Sequence, residues 1–387
     1  MKKKKIKKLD SYVSNLCNSS TVNDKVSAII FINKRNKECA VNKLKESGCN
    51  IKYYLDLIDA VAIEAQPTLI KKLAEDDDVV YISHDSGVTT CLNVARKAIG
   101  ADKCPQSGNN VGVAVIDTGI YPHADLTFRK NRVVEFVDFV NGKKKPYDDN
   151  GHGTHCAGII AGDGMMSNGK YTGIAPKANL IGLKVMNAYG EGNSSDILAA
   201  LEWVNSNRQK YNIRVVSLSF GTLSTGNAFD PLILAVDRLW DKGVVVVAAA
   251  GNEGPSLATI SSPGASKKII TVGCSDDKGT VDIKDDTIAD FSSRGPSSYS
   301  RMKPDLVAPG VDIYSLSNAG GYVPMSGTSM STPIISGCCA LLLEKEPKLS
   351  PDEVKRRLIG CTDSLNQPYV SQGSGLVNAA SLLKTDK

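Results

Sequence analysis

Residues 327–343 read GTSMSTPIISGCCALLL, a glycine-led turn followed by a run of small and apolar residues. Residues 334–343 are apolar on nearly every side, and a helix of that composition belongs in the middle of a core. Its first turn can therefore hold one hydroxyl rigidly at the surface of a cleft. We expect that hydroxyl to be Ser329, which becomes a good nucleophile only if a base takes its proton and a third group orients the base.

The sequence before this helix alternates between continuous apolar strands and amphipathic segments. Such alternation is typical of a mostly parallel sheet that is covered by helices on both faces. The predicted strands are residues 111–116, 180–185, 215–219, 244–250 and 269–273, and the predicted helices are residues 155–161, 194–209, 231–242, 352–358 and 377–383.

A second, smaller module precedes this α/β region. Residues 25–85 follow the order strand, helix, strand, strand, helix, strand, with Gly48 ending the first helix and Pro67 opening the second. That order predicts a ferredoxin-like α+β domain of about sixty residues. Residues 86–110 are polar and without period, which indicates a linker, and residues 111–387 form the larger domain.

Composition limits the possible functions. The chain has 387 residues and is 42% hydrophobic, so it can bury a substantial core. The formal net charge is +5, but six lysines within residues 1–8 account for it, and without them the charge would be −1. We therefore expect residues 1–24 to be a solvated basic tail, and we expect no nucleic-acid-binding face.

Location is predicted from two further patterns. The basic start is not followed by an apolar run of about 7–15 residues, and no stretch reaches the roughly 18–20 apolar residues that span a membrane. These patterns predict a cytoplasmic protein without membrane contact, although secretion by a non-standard route stays open. The ten cysteines show no paired spacing, which favours reduced thiols over disulfides or a zinc site.

Two polar residues follow predicted strands. Asp117 ends the strand at residues 111–116, and ligands of parallel sheets gather at the carboxyl ends of strands. An isolated Asp-Thr-Gly is, however, equally typical of an Asx turn or a helix cap. Asn252 follows the strand at residues 244–250, where its amide could donate to a developing oxyanion or could simply form a turn.

A histidine pair supplies the candidate base. His152 and His155 are two of only four histidines in the chain, and with Cys156 they could ligate a metal. No carboxylate stands between them as in a helical zinc motif, and glycines on both sides of His152 allow close backbone approach. We therefore do not favour a metal site here, and we predict that His155 is a buried helix residue bonded to backbone and that Cys156 is a small core residue near the site.

Four blocks together resemble the signature blocks of subtilisin-type serine proteases. In chain order they are Asp117-Thr118-Gly119, His152-Gly153-Thr154-His155, Ala250-Gly251-Asn252 and Gly327-Thr328-Ser329-Met330-Ser331. Residues 291–296, 303–305 and 308–310 add to the resemblance, which covers roughly residues 111–383. Within the family the chain is most similar to the AprX-type intracellular alkaline proteases, especially at residues 119–123 and 146–152.

The resemblance implies a subtilisin-like three-layer α/β fold and a serine endopeptidase that forms an acyl-enzyme on protein or peptide substrates. Ser329 would be the nucleophile, His152 the general base, Asp117 its orienting carboxylate, and Asn252 the oxyanion donor. Three further segments would bind substrate, through Ser219, Phe220 and Gly221, through Ala249, Ala250 and Gly251, and through Gly190 and Gly192. Ser261 would lie near the base of the specificity pocket.

The chain departs from the family pattern at two places. Ser331 stands where the signature usually has alanine, and the loop at residues 162–169 does not match the usual calcium loop. The resemblance implies no cofactor for the chemistry and no metal among the catalytic residues. Structural calcium stays open, with oxygen donors available at Asp125, Asp163 and Asn168.

The resemblance also assigns the small module a role as a pro-segment and intramolecular inhibitor of a self-processed zymogen. Cleavage is then expected within residues 86–95, with Cys91–Leu92 as the single bond that we name. An alternative is a catalytically silent, peptide-binding regulator, although such a protein would usually lack one of the four polar residues. A non-peptide serine hydrolase is disfavoured because no Gly-x-Ser-x-Gly surrounds Ser329.

Overall fold

The computed structural model describes residues 8–9, 13–14, 17, 25–84, 92–222, 230–300 and 302–384. The chain divides into two compact units, Met1–Thr89 and Thr90–Lys387. Each unit has a hydrophobic core of its own. Within the described ranges, no helix combines the length and the apolar character that crossing a bilayer requires.

The first unit is a four-stranded antiparallel sheet with two helices. Its elements are β1 (Val26–Ile32), α1 (Lys37–Glu46), β2 (Asn50–Leu55), β3 (Ala60–Ala65), α2 (Pro67–Leu73) and β4 (Val79–His84). The strand order β2-β3-β1-β4 is that of a ferredoxin-like module. Alternate residues of β1 are buried, so one face of the sheet packs on the core. The predicted α+β fold of this module is confirmed.

The prediction of a solvated tail was wrong for part of residues 1–24. Leu9 forms a parallel bridge with Ile82 of β4, and Val13 and Cys17 are buried in the core of the first unit. Val13 and Cys17 are helical and lie four positions apart, so both can lie on one face of a helix. The lysine run beside them masked this short apolar pattern.

The second unit contains one large sheet. Its strands are β5 (Gly112–Asp117), β6 (Val133–Asp138), β7 (Asn179–Lys184), β8 (Ile213–Leu218), β9 (Val245–Ala249), β10 (Ile270–Asp276), β11 (Thr287–Ile288), β12 (Leu306–Pro309), β15 (Thr362–Asp363) and β16 (Leu376–Val377). A separate hairpin is formed by β13 (Ile313–Leu316) and β14 (Tyr322–Met325). Among the described residues, only β11 and β15 pair antiparallel within the large sheet, so the predicted, mostly parallel sheet is confirmed.

The helices of this unit cover the sheet on both faces. They are α3 (Leu92–Ala98), α4 (Ala124–Thr127), α5 (His152–Ala161), α6 (Ser194–Asn207), α7 (Pro231–Asp241), α8 (Thr328–Lys345), α9 (Pro351–Gly360), α10 (Tyr369–Gln372) and α11 (Ala379–Leu382). Helix α5 packs against α8, and α6 packs against α7. Every residue of β5 is buried, as expected for a central strand with helices above and below it.

The strand β5 lies at the point where the order of strand addition reverses. Along the sheet the order runs β15-β16-β12-β10-β9-β8-β5-β7-β6, so the chain adds strands on one side of β5 and then on the other. In open α/β sheets, a crevice forms at the carboxyl ends of the strands beside such a switch point. Asp117 is the last residue of β5 and therefore lies there.

Helix α8 is longer than the sequence predicted. It begins at Thr328, six residues before the predicted start, and continues through Pro333. Proline lacks the N–H that would bond to the carbonyl of Ser329, and the Cys156 sulfur lies 3.5 Å from that carbonyl oxygen. Within residues 327–343, Ser329 is the one residue that is not buried.

Two predicted segments near the ends of this unit differ from the structure. The predicted linker contains α3. Ala95 of this helix and Ile99, which follows it directly, are buried in the core of the second unit. The C-terminal helix predicted at residues 377–383 is instead the short strand β16 followed by the single-turn α11. Neither segment has enough periodic residues for sequence patterning to define it.

Candidate active site

Four elements bring the predicted polar residues to one end of the large sheet. Asp117 ends β5, His152 is the first residue of α5, and Ser329 is the second residue of α8. Asn252 follows β9 after two intervening residues. The structure therefore gathers groups from positions that are far apart in the sequence.

Asp117 and His152 form the central contact of the site. Oδ1 of Asp117 lies 2.8 Å from Nδ1 of His152 and also accepts a hydrogen bond from the backbone N–H of Thr118 at 2.7 Å. Asp117 is 1% exposed, whereas about a quarter of the His152 side chain (27%) remains exposed. A buried carboxylate thus holds one ring nitrogen of a partly exposed imidazole.

Side chains that accept hydrogen bonds from backbone N–H groups fix the start of α5, and with it the position of His152. The carboxylate of Asp148 accepts hydrogen bonds from the N–H groups of Gly151 and Thr154, and also from the hydroxyl of Thr154. The hydroxyl of Thr118 accepts from the N–H of Gly153 at 2.9 Å. Side chains that satisfy first-turn N–H groups stabilise a helix N-terminus.

The two histidines differ in protonation. Burial is the largest single effect on His152 and opposes its charge, but the charge of Asp117, the hydrogen bond to it and the contacts with Cys156 together hold the pKa of His152 well above its usual value. Burial lowers the pKa of His155 to about 4, and its Nε2 lies 2.9 Å and 3.0 Å from the carbonyl oxygens of Ile313 and Val323. His155 is therefore a neutral, backbone-bonded residue, in line with its predicted structural part.

The Ser329 hydroxyl makes no hydrogen bond to the imidazole among the contacts of the described residues. Its Oγ donates to the carbonyl of Ser219 at 2.8 Å. The Cys156 sulfur lies 3.9 Å from Nδ1 of His152 and 3.5 Å from the carbonyl oxygen of Ser329, so both residues border the same thiol. Catalytic hydrogen bonds are often loose in a free enzyme and tighten when substrate binds.

Thr328 fixes the orientation of the Asn252 amide. Oδ1 of Asn252 accepts hydrogen bonds from both the N–H and the hydroxyl of Thr328, each at 3.0 Å. Because these two hydrogen bonds use the amide oxygen of Asn252, its NH₂ group remains as the hydrogen-bond donor of the side chain. Asn252 lines the same cleft as Ser329, so its amide is available there as a donor.

The cleft beside Ser329 has a volume of about 580 Å³. Four predicted substrate-binding residues line it, namely Phe220, Gly221, Ala249 and Gly251, and so does Ser261. A Cβ atom at Gly221 would lie only 2.1 Å from Oγ of Ser261. Glycine at this position therefore lets the backbone on this side of the cleft approach Ser261 closely.

The remaining predicted substrate-binding residues do not line the cleft among the described residues. Ser219 lies behind it and holds the Ser329 hydroxyl through its carbonyl, and Ala250 is fully buried. Gly190 lies near the Asn150 amide, and Gly192 packs against the Val185 carbonyl.

A metal at the histidine pair is not favoured by these contacts. Among the described residues, the one set of three possible ligands that lie close together is Asp117, His152 and Cys156, with the relevant atoms within 4.8 Å of one another. His155 is directed to backbone carbonyls instead, so the His-x-x-His pair does not converge. Burial raises the pKa of the Cys156 thiol, which favours its protonated form over a metal-binding thiolate.

Sequence reasoning missed one buried cation beside the site. Lys184 is fully buried, and its Nζ donates to the carbonyls of Thr118 and Met186 and to Oδ1 of Asp149. It thereby anchors the turn that follows Asp117. A charged residue within the otherwise apolar strand β7 was the only signal that could have revealed it.

Comparison with known proteins identifies the family. The model of the subtilase family (peptidase S8) matches residues 108–376. The chain belongs to the subtilase family. This subtilase is 42% identical to serine protease AprX of Bacillus subtilis (strain 168) over 367 residues, which span 87% of this chain and 81% of that relative. It is 33% identical to subtilisin E of the same organism over 345 residues, which span 87% of this chain and 83% of that protein.

Solved structures agree with the family assignment. A cold-adapted subtilisin-like serine proteinase matches this subtilase at 31% identity with a TM-score of 0.57, covering 71% of this chain and 89% of the other. The S41 psychrophilic protease matches at 29% identity with a TM-score of 0.64, covering 76% and 99%. The fold is therefore subtilisin-like, and this subtilase is a serine protease.

Proposed function

We propose that this protease is an endopeptidase that cleaves peptide bonds through an acyl-enzyme on Ser329. The Ser329 hydroxyl oxygen attacks the peptide carbonyl carbon while Nε2 of His152 takes its proton, and Asp117 stabilises the resulting imidazolium. His152 then gives this proton to the leaving amine, and water releases the acyl group by the same steps in reverse. The observation that carries the proposal is the 2.8 Å contact between Asp117 and His152.

Two donors are proposed to stabilise the charge that develops on the carbonyl oxygen. One is the NH₂ group of Asn252, whose amide oxygen is already used by Thr328. The other is the backbone N–H of Ser329, in the first turn of α8, where N–H groups have no intrahelical acceptor. Donors that are fixed before the reaction need no reorganisation in the transition state.

The substrate is proposed to be a protein or peptide bound in extended form. In this mode, Ser219 to Gly221 and Ala249 to Gly251 form the two walls of the side-chain pocket, and Gly190 and Gly192 flank the peptide on the other side. The glycines and the small Ser261 support a pocket that is open to medium or large side chains. We also propose a reducing compartment such as the cytoplasm, because the five buried cysteines, Cys17, Cys156, Cys274, Cys338 and Cys339, are free thiols.

No cofactor is proposed for the chemistry, because protein groups supply the nucleophile, base, orienting carboxylate and oxyanion donors. Calcium at Asp125 is not favoured. Both of its carboxylate oxygens accept hydrogen bonds, from the N–H of Met166 at 2.8 Å and from the hydroxyl of Tyr322 at 2.6 Å. A metal ion there would compete with both donors for these oxygens.

The first unit is proposed to be a pro-segment that is removed by intramolecular cleavage and then inhibits the enzyme. Its βαββαβ order supports this part. Of the predicted cleavage range, residues 86–91 lie outside the described residues, and so does the first residue of the Cys91–Leu92 bond. Residues 92–95 belong to α3, and a protease needs an extended substrate. We therefore propose cleavage at a bond between residues 86 and 92, with Cys91–Leu92 as the single bond that we name.

The experiment compares the wild-type protein with Ser329→Ala by intact mass, N-terminal sequencing and peptide hydrolysis. We expect Ser329→Ala to remain full-length and to lose a factor of about 10⁶ in turnover, which is the loss known for the same change in subtilisin. The wild type should lose its first unit and begin at a residue between 87 and 92. Ser331→Ala is the matched control, because it removes a neighbouring buried hydroxyl that only donates to the carbonyls of Ala308 and Pro309. Self-cleavage of Ser329→Ala would exclude the proposal.

A further inference from the structure

The hairpin of β10 and β11 carries a group of carboxylates that the proposed chemistry does not use. Residues 276–290 contain six aspartates and two lysines. The aspartates are Asp276, Asp277, Asp282, Asp285, Asp286 and Asp290. Asp282, Asp285 and Asp290 are exposed and Asp276 is half-buried, but Asp277 and Asp286 are only 1% and 6% exposed.

The register of the hairpin brings these two buried aspartates together. In the antiparallel pair, Ser275 lies opposite Ile288 and Asp276 lies opposite Thr287. Asp277 and Asp286 each stand one residue beyond these pairs, at the end of β10 and before the start of β11, so the same register continued by one step places them opposite each other. Residues directly opposite each other in such a pair have Cβ atoms about 5 Å apart, and like charges at that spacing repel each other.

Both carboxylates point to the buried side of the hairpin. Side chains alternate along a strand, so Asp277 shares a face with Ser275, and Asp286 shares one with Ile288. All four of these residues are buried, while Thr287 on the opposite face is exposed. The two aspartates therefore meet inside the protein, where water does not screen their charges.

Most of the oxygens on this face have no hydrogen-bond partner among the described residues. Both carboxylate oxygens of Asp286, Oδ2 of Asp277 and Oγ of Ser275 are buried and unpartnered. Only Oδ1 of Asp277 is used, by the N–H of Gly279 at 3.0 Å. Buried polar atoms nearly always have a partner, so four unpartnered oxygens on one face indicate a missing ligand.

Positive side chains do not neutralise the pair within the described part of the chain. Lys278, the nearest lysine in the sequence, forms an ion pair with the exposed side of the hairpin, at Asp276. Neither Asp277 nor Asp286 takes part in a described ion pair with lysine, arginine or histidine. Burial, with the neighbouring carboxylates, raises the pKa of Asp277 to about 6 and that of Asp286 to about 7. Keeping both carboxylates ionised inside the protein costs free energy, and a bound cation would remove this cost.

We propose that Asp277 and Asp286 bind a calcium ion on the buried face of this hairpin, with the Ser275 hydroxyl as a further ligand. All of the unpartnered atoms are oxygens, which hard divalent cations prefer over nitrogen or sulfur ligands. Calcium accepts six to eight oxygens in irregular arrangements at about 2.4 Å, which suits two facing carboxylates and a hydroxyl. The ion would join β10 to β11 and stabilise the hairpin. This inference does not depend on the proposed proteolytic mechanism.

The test uses full-length Ser329→Ala protein, which should not digest itself, after removal of metals by chelation. Calorimetric titration with calcium chloride should give binding that Asp277→Asn and Asp286→Asn each weaken by at least about tenfold. At about 100 times the dissociation constant, calcium should raise the melting temperature by about 5–10 °C. The two variants should lose most of this shift.

Asp290→Asn is the matched control, because it removes the same charge from an exposed position of the same hairpin. It should bind calcium as the background protein does. An equal loss in the control, or unchanged binding in both test variants, would overturn the proposed site. Hydrogen exchange needs no variant and covers the case in which the variants fail to fold. Calcium should slow amide exchange in residues 275–288, and an unchanged rate there would also overturn the proposal. Tighter binding of magnesium than of calcium in the titration would overturn it as well.

Discussion

The charge of Asp117 sets the pH range in which His152 can act as a base. Burial disfavours the imidazolium, but Asp117 and the contacts with Cys156 together favour it more strongly, so the pKa of His152 lies above its usual value of about 6.5. The imidazole accepts a proton only when it is neutral, that is, above this raised pKa. We therefore expect kcat/KM to rise with pH above about 6.5 and to level off at alkaline pH.

Initial rates with an uncharged peptide between about pH 5 and about pH 10 would check this, with circular dichroism showing that the fold persists. The same shift acts in the opposite sense on stability. The contribution of the imidazolium to folding is fully present below the unfolded pKa of about 6.5 and is lost as pH rises through the folded pKa. An activity maximum below about pH 6 would contradict the assigned base.

A second prediction at this scale concerns Thr328, a positioning residue that acts through Asn252. Thr328→Val keeps the shape of the side chain but removes the hydroxyl that donates to Oδ1 of Asn252. One hydrogen bond contributes about 0.5–1.5 kcal/mol, so we expect kcat to fall about three- to tenfold with KM unchanged. Steady-state kinetics on purified, processed enzyme would measure both constants.

Thr332→Val is the control for that change. Its hydroxyl is equally buried and donates to the carbonyl of Thr328, one turn away from the oxyanion donors. We expect kcat of this variant to stay within about twofold of the wild type. If both variants lose kcat equally, the effect belongs to the packing of α8 and not to the orientation of the amide.

At the scale of elements, the position of Ser329 depends on how closely α8 packs. A Cβ atom added at Gly337, in the middle of the helix, would lie 2.5 Å from Cβ of Ile174. Overpacking of this kind costs about 1–3 kcal/mol, so Gly337→Ala should lower the free energy of unfolding by about that amount. Urea unfolding in the Ser329→Ala background would measure it without self-digestion.

Gly360 offers a matched control in another helix. A Cβ atom there meets no neighbour within 4 Å, at the end of α9. Gly360→Ala should leave the free energy of unfolding unchanged or raise it by up to about 1 kcal/mol, because alanine is the better helix former. Equal destabilisation by the two changes would mean that helix packing against Ile174 is not the cause.

The elements that sequence patterning predicts best are those with a long, uniform pattern. Strands β5, β7, β8 and β9 are continuous apolar runs, and their predicted bounds agree with the structure to within about two residues. The start of α8 was placed too late because Thr328, Ser331 and Pro333 are poor helix formers by composition. Buried side-chain hydrogen bonds to Asn252 and to the carbonyl of Ala308 outweigh that preference.

At the scale of the whole molecule, the sequence predicted both folds but not every contact between distant segments. The order of elements is a local property, so the ferredoxin-like module and the parallel sheet follow from patterning. Patterning places Asp117 and Asn252 after predicted strands, whereas His152 and Ser329 were assigned through the resemblance to the signature blocks, and the roles of all four stay predictions. Lys184 and the Asp277–Asp286 pair depend on pairings between strands, which no local pattern reveals.

The enclosure of α8 has a consequence for chemical labelling. Five hydroxyl side chains occur in its first nine residues, and four of them are buried and donate to neighbouring oxygens. A fluorophosphonate reagent would therefore meet a single accessible alcohol on this helix, at Ser329. Selective marking of the enzyme in a mixture would then arise from shape as much as from intrinsic reactivity.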